Sequence, residues 1–350
     1  MLLTLYTLVL SFTVISSARP STHSTWTSLA NITMAPRQEH TTFFLPPSTI
    51  GILGGIVHNG TSISTTDIMQ FYSIEHNSWT NATIIPKPMN HVNVATIDKK
   101  IYILGGLADV PDQEQMEWRA FPDSWAYDQD KDTWEAIAPM PATEARGSAA
   151  VGVYEGKIFL AGGMRTLVVG LGELQDTVGI VSIFDTATGT WLEVPDAAKK
   201  IPEGRDHAGV AVVGDKMYVL GGRNRGQLNV KDTVFILDLR NIERGWTTSN
   251  SRMPTPRGGV AAGVIGKKIY AFGGEGNQEV ESGVFNEPEV YDTVNDSWRR
   301  LEPMAFPRHG TYAVGVGSRV YIPGGGFRIG GAPVAHFDAF SAQKGEAEDV

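Results

Sequence analysis

The chain has 350 residues, 42% of them hydrophobic, enough to bury a sizeable core. Its formal charge of −9 and isoelectric point near 5.4 leave no electrostatic footprint for a nucleic-acid backbone, and no basic run carries interleaved aromatics. The absence of cysteine excludes disulfides, thiolate catalysis, zinc–cysteine sites and any cysteine–tyrosine crosslink.

In chain order, the first element is "MLLTLYTLVLSFTVISSARP". Its apolar stretch, Leu2 to Ile15, is shorter than the roughly 20 residues a spanning helix needs. It is followed by a small-x-small pattern, Ser16-Ser17-Ala18, so residues 1–18 read as a signal peptide with cleavage near Arg19. A secreted protein with no membrane association after cleavage is expected. Four N-x-S/T sequons, at Asn31, Asn59, Asn81 and Asn295, are glycosylation candidates in that compartment.

From Trp26 onward the chain repeats. Apolar runs end in glycine pairs at Gly54-Gly55, Gly105-Gly106, Gly162-Gly163, Gly221-Gly222, Gly273-Gly274 and Gly324-Gly325, at intervals of 51, 57, 59, 52 and 51 residues. Trp26, Trp79, Trp134, Trp191, Trp246 and Trp298 precede them by 26 to 30 residues. Each unit holds four short turn-separated runs, called A to D here: the "HAGVAVVGDK" type, the glycine-ended run, the "VFILDL" type and the tryptophan-led run. No long amphipathic helix appears.

Six copies of Gly-Gly plus Trp over residues 24–340 resemble the kelch repeat, whose units of about 50 residues form one propeller blade each. The resemblance implies an all-β fold: a six-bladed kelch-type β-propeller of four-stranded antiparallel blades, spanning 19–340. The last unit runs out before any Trp, whereas Trp26 has no preceding C run. A strand around Trp26 is therefore expected to complete the sixth blade and remove an exposed edge, with 341–350 as an acidic tail. The glycine pairs admit close blade approach and positive φ, and the tryptophans fill the wedges between blades.

In such blades the start of A and the end of B share a face. The A runs open with "PRQEH", "PMNH", "EARGS", "GRDH", "PRGG" and "PRHG", which lines up Arg37, Asn90, Arg146, Arg205, Arg257 and Arg308. Because the family places strand A innermost, these residues are expected around the mouth of the central channel, joined by Arg223 from "GGRNRG". Two readings stand open. The arginines saturate carbonyls or pair with acids such as Glu39, Glu144 and Asp206 as scaffold, or several converge on an anion through bidentate guanidinium forks. On the second reading, exchanging Arg205 and Arg257 for alanine weakens ligand binding and leaves the fold intact.

His40, His91, His207 and His309 lie one to three residues from these positions. Their spacing matches no metal motif, so no metal and no cofactor is assigned. Trp118, extra to the repeat set, is expected to stand exposed on the B–C loop of blade two, suited to stacking on a sugar or an apolar ligand. Trp125 is expected to begin strand C of that blade.

Catalytic motifs are missing: there is no G-x-S-x-G elbow or H-E-x-x-H, and "GLGELQ" lacks the third glycine of a dinucleotide loop. Copper radical oxidases such as galactose oxidase carry a similar propeller, but their cofactor needs a cysteine that this chain lacks. The E-x-x-x-D-x-x-x-H iron ligands of plant specifier proteins match no position. The leading expectation is a secreted binding module whose arginine-rimmed channel face and B–C loops take an acidic peptide, a glycan or a small acidic ligand. The alternative is a metal-free enzyme, an isomerase, cyclase or hydrolase of a small natural product, working in a deep cup lined by Trp118, Val168, Val169 and Phe327.

Overall fold

A computed structural model describes residues 25–60, 62–170 and 174–342. Residues 1–18, expected to be a signal peptide, and all but the first two residues of the expected tail 341–350 lie outside the described residues.

Blade one shows the unit: strands Thr41–Leu45, Thr49–Leu53, Met69–Ser73 and Ser78–Asn81 pair antiparallel in that order. Blades three, four and five repeat it from Ala150–Tyr154, Gly209–Val213 and Ala261–Ile265. The sixth has three strands of its own, Val314–Val316, Arg319–Pro323 and Phe337–Ser341, and takes Thr25–Ser28 as its outer strand, with Trp26 opposite Phe340. Trp26 then packs edge-on against Phe272 and Phe340, at 5.5 and 5.3 Å between centroids. The innermost strands touch in chain order, and the sixth touches the first, so the ring closes.

Blade two departs from the pattern. Its B strand, Lys100–Asp109, runs through the glycine pair with a bulge between Leu104 and Gly106, and its C strand, Glu117–Asp128, is correspondingly long. Trp125 therefore sits inside strand C, opposite Ile103, rather than at its start. Met164–Val168 pairs with the projecting end at Glu117–Arg119, and Leu174–Thr177 extends the sheet further. Blades two and three thus share a raised wall on the B–C loop side.

The glycine pairs stitch neighbouring blades. The second glycine donates its N–H to the residue at the start of the next blade's A run: Gly55 to Met89 O (2.8 Å), Gly163 to Arg205 O (2.6 Å), Gly222 to Arg257 O and Gly274 to Arg308 O (2.9 Å each), and Gly325 to Arg37 O (3.0 Å) across the closure. At Gly273, φ is +57°, and a Cβ would stand 1.8 Å from Arg308 O, so no side chain is tolerated there. In blade two the continuous, bulged strand leaves this role to Asn93, whose Nδ2 donates to Arg146 O at 2.8 Å.

The repeated tryptophans serve the same stitching. Trp79, Trp191 and Trp246 donate Nε1–H to Ala30, Ala138 and Ala198 carbonyls of the preceding connection, at 2.7, 3.1 and 3.1 Å. Among the described residues, no helix is long and apolar enough to cross a membrane.

Candidate functional site

The arginines of the A runs do not rim an open mouth. Arg37, Arg146, Arg205, Arg257 and Arg308 are at most 2% exposed, and their guanidinium groups turn into their own blades. Arg146 donates to Gly162 O, Leu160 O and Ser182 Oγ at 2.6, 3.0 and 3.0 Å. Arg257 donates to Gly273 O and pairs with Glu289, both at 2.9 Å, and Arg308 bonds Ile322 O at 2.8 Å and Asp338 at 2.6 Å. Arg37 takes Gln70 Oε1 at 2.8 Å, and Arg205 takes Thr233 Oγ1 at 2.6 Å and Glu203 at 2.9 Å. Burial lowers Arg37 to about 9 and Arg146 to about 10. The scaffold reading holds for all five, and the anion ring is withdrawn. Asn90 is also displaced by one position: the glycine-pair contact falls on Met89, the true counterpart of the arginines.

Two residues beyond each of the five arginines, and beyond Met89, the chain turns through left-handed conformation. Glu39, His91, Ser148, His207, Gly259 and Gly310 all have φ between +50° and +65°. The six turns link around the axis: Glu39 N–H to Gly310 O, His91 N–H to Glu39 O, Ser148 N–H to His91 O, His207 N–H to Ser148 Oγ and Gly259 N–H to His207 O, between 2.5 and 3.0 Å. Left-handed φ at four residues with side chains costs roughly 1 kcal/mol or more each, strain that typically concentrates at functional sites. Glycine at 310 has a different cause, since a Cβ there would stand 2.2 Å from the Glu39 carboxylate.

Three of these side chains converge on the axis. His91 Nε2 stands 2.8 Å from His207 Nε2, and Glu39 Oε2 lies 3.2 Å from the first and 3.7 Å from the second. Arg223 and Glu275, which follow glycine pairs, and His309 of the sixth A run complete the cluster. Arg223 reaches Glu275 Oε1 (2.5 Å), His207 Nε2 (2.6 Å) and Asp206 Oδ1 (3.5 Å). His309 Nδ1 faces Glu275 at 3.4 Å and Glu39 at 3.9 Å. Gly330 N–H and Gln227 Nε2 donate to Glu275 Oε2 at 2.8 and 3.3 Å.

The hydrogen bonds fix the imidazole protons. His207 Nδ1 lies 2.6 Å from Asp206 Oδ1, an acceptor that Thr177 Oγ1 also supports through Oδ2, so Nδ1 carries the proton. His91 Nδ1 lies 2.6 Å from Asn90 Oδ1. That amide is oriented by Asn90 Nδ2 donating to Thr65 Oγ1 at 2.9 Å, and Thr65 by donating to Asp109 at 2.5 Å. Both Nε2 atoms are therefore unprotonated acceptors, that of His207 already taking an N–H from Arg223 at 2.6 Å. Burial first, then the neighbouring cations and imidazoles, holds His91 and His207 well below the ordinary histidine range, keeping both neutral. With His91 and His207 neutral, the cluster sets three carboxyl groups, Glu39, Asp206 and Glu275, beside the Arg223 guanidinium and the His309 imidazole.

Trp118 is not exposed. At 6% exposure it packs against His91, centroids 6.0 Å apart, and donates Nε1–H to Asp109 at 2.8 Å. With Leu167, Val169 and Ile56 it walls a recess above the cluster. Val168 and Phe327 do not line it; Phe327 borders a separate apolar groove with Phe306 and His336. The recess has about 30 Å³ of free space, room for a water or an ion but not for an organic substrate. Beneath the cluster, the channel between the innermost strands is walled mainly by valine, alanine and glycine. His40 is excluded from this site: it is buried between blades with Nε2 on Pro323 O at 3.1 Å, and burial lowers its pKa to about 3.

Of the sequence-predicted residues, His91, His207, His309, Arg223 and Trp118 come together, and the five A-run arginines do not. Asn90 enters only as a support for His91. Glu275 was missed, and Glu39 stands beside His91 and His207, while Asp206 stands beside His207 and Arg223. The available signal was positional: Arg223 and Glu275 each follow a glycine pair directly. Asn31, Asn81 and Asn295 are exposed, whereas Asn59 belongs to a sequon whose Thr61 lies outside the described residues.

Closed rings of four-stranded antiparallel blades, stitched by glycine pairs and wedge tryptophans, define a β-propeller. The chain belongs to the kelch-repeat family: the KLHDC2/KLHL20/DRC7 Kelch-repeats domain matches residues 170–325 and the Kelch motif matches 88–141. It is similar to Kelch-like protein terF of Aspergillus terreus, 37% identical over 310 residues, covering 87% of this chain and 65% of that protein. Kelch-like protein 25 of Xenopus tropicalis is 30% identical over 266 residues, 74% of this chain and 41% of that one. An N-(sulfonatooxy)prop-2-enimidothioate sulfolyase of Thlaspi arvense is 30% identical over 117 residues, 33% of this chain and 32% of that one. The chain thus spans less than two thirds of the length of each of these relatives. The solved structure of YjhT shares the fold, with a TM-score of 0.70 at 18% identity over 88% of this chain and 95% of that one.

Proposed function

We propose that the chain is a protein-binding module of the secretory pathway that meets its partner through the face carrying the B–C loops and the D-to-A connections. One observation carries the reading. Of the eight large apolar side chains exposed among the described residues, seven belong to this face: Met116, Leu228, Val280 and Phe327 in B–C loops, and Met34, Ile84 and Phe306 in D-to-A connections. Only Val294, in a C–D turn, belongs to the other. Apolar side chains gathered on one face of a propeller suit a protein interface better than a glycan or an acidic ligand. An acidic ligand would also meet the carboxyl groups of Glu39, Asp206 and Glu275 at the axis, with the A-run arginines already committed to carbonyls and acids.

Placement in the secretory pathway rests on the leader-like segment and the exposed sequons. Expression in a secreting eukaryotic host tests both parts. Proteins crosslinked to the chain are expected to survive Val294→Asp and to be lost in a Leu228→Asp/Phe327→Asp variant, and enzymatic removal of N-glycans is expected to lower the mass. The opposite pattern of loss overturns the assigned face. A secreted chain of unchanged mass removes the glycosylation, and retention inside the cell removes the compartment.

A further inference from the structure

We propose that Glu39, His91 and His207 form a binding site for one divalent transition-metal ion, a function separate from the partner-binding face. The candidate ligand atoms all lie within 4.8 Å of one another. The separations of 2.8, 3.2 and 3.7 Å are close to the roughly 2.9–3.4 Å expected between neighbouring ligands held at 2.0–2.2 Å from one ion.

The proton positions make the case stronger than the distances. Each imidazole gives its Nδ1–H to an oxygen, His207 to Asp206 and His91 to Asn90. This is the support that metal-binding histidines receive, and it aims a bare Nε2 lone pair at the ion. Two such lone pairs facing each other at 2.8 Å repel unless a proton or a cation lies between or beside them. A third buried imidazole borders the pair: His309 Nε2 lies 2.7 Å from Arg328 O, and its Nδ1 faces Glu275 at 3.4 Å and Glu39 at 3.9 Å.

Arg223 is the cation that partly meets this demand, through its contact with His207 Nε2. An ion displaces that one contact, and Arg223 keeps Glu275 at 2.5 Å. Two imidazoles with one carboxylate select the zinc, iron(II) and manganese(II) class over calcium or magnesium, which prefer all-oxygen sites. The remaining positions face the recess beneath Trp118, where water or one small donor completes the shell. The sequence concealed the site because its ligands come from blades one, two and four.

Titration of chelator-stripped chain with Zn²⁺ and with Mn²⁺, followed by calorimetry, is expected to show one ion per chain. His91→Asn and His207→Asn are expected to weaken binding at least 100-fold, and the positioning variant Asn90→Ala about 10- to 100-fold. Because these variants can also disturb folding, the unaltered chain provides a second readout. Mn²⁺ is expected to broaden the imidazole resonances of His91 and His207 before those of the exposed His58 and His76. No stoichiometric ion in the wild type, undiminished affinity in the histidine variants, or broadening confined to His58 and His76 would each overturn the site.

Discussion

Arg257→Ala is expected to cost about 3–5 kcal/mol of folding stability, contrary to the sequence-based expectation that it leaves the fold intact. The guanidinium is fully buried, pairs with an equally buried Glu289 and donates to Gly273 O and Glu287 O. Removing it strands a carboxylate, and breaking a buried pair from one side is far more damaging than replacing both partners. Burial, offset by Arg257, already raises the Glu289 pKa, so part of the loss is expected to appear as proton uptake. The double variant Arg257→Met/Glu289→Leu is expected to recover part of the stability in urea unfolding. A single variant within about 0.5 kcal/mol of wild type would return the arginine to solvent or to a ligand.

Acidification from pH 7 to pH 5 is expected to remove several kcal/mol of stability. His40, at about 3, and His91 and His207, well below the usual value, bind protons more weakly in the folded state than in the unfolded chain. Their contribution is present above the unfolded value near 6.5 and is lost progressively as pH falls below it, by about 2 kcal/mol per histidine at pH 5. Asp206 and Glu289, whose pKa values are raised mainly by burial, act in the opposite direction. Asp338, Glu275 and Glu203, held low, add their losses only below about pH 4.5. Urea melts at the two pH values measure the sum, and equal midpoints would contradict three neutral buried imidazoles.

The scaffold was legible because its determinants repeat. Glycine pairs and tryptophans recur once per blade since every blade meets its neighbour in the same way, and Trp26 betrayed the closure by lacking a preceding C run. The arginines were legible as a set but not in direction: spacing assigns Arg257 to a face without telling whether the guanidinium turns outward to solvent or inward to Gly273 O. The axial cluster was harder still. Its members share one position in three blades, yet Glu39, His91 and His207 need a positive φ that their residue types do not announce. Gly259 and Gly310, at the same place in two other blades, were the visible trace of that turn. Trp118 was misplaced because the continuation of strand B through Gly105-Gly106, which lengthens the hairpin and brings the indole onto His91, leaves no mark distinguishable from the other glycine pairs.

The most direct test of the axial cluster is a nitrogen-15 imidazole spectrum of the metal-free chain across pH 7 to 5. His91 and His207 are expected as neutral Nδ1–H tautomers that do not titrate in that range, with unprotonated Nε2 atoms. Titration of both near pH 6.5, or a proton resident on each Nε2, would contradict this arrangement.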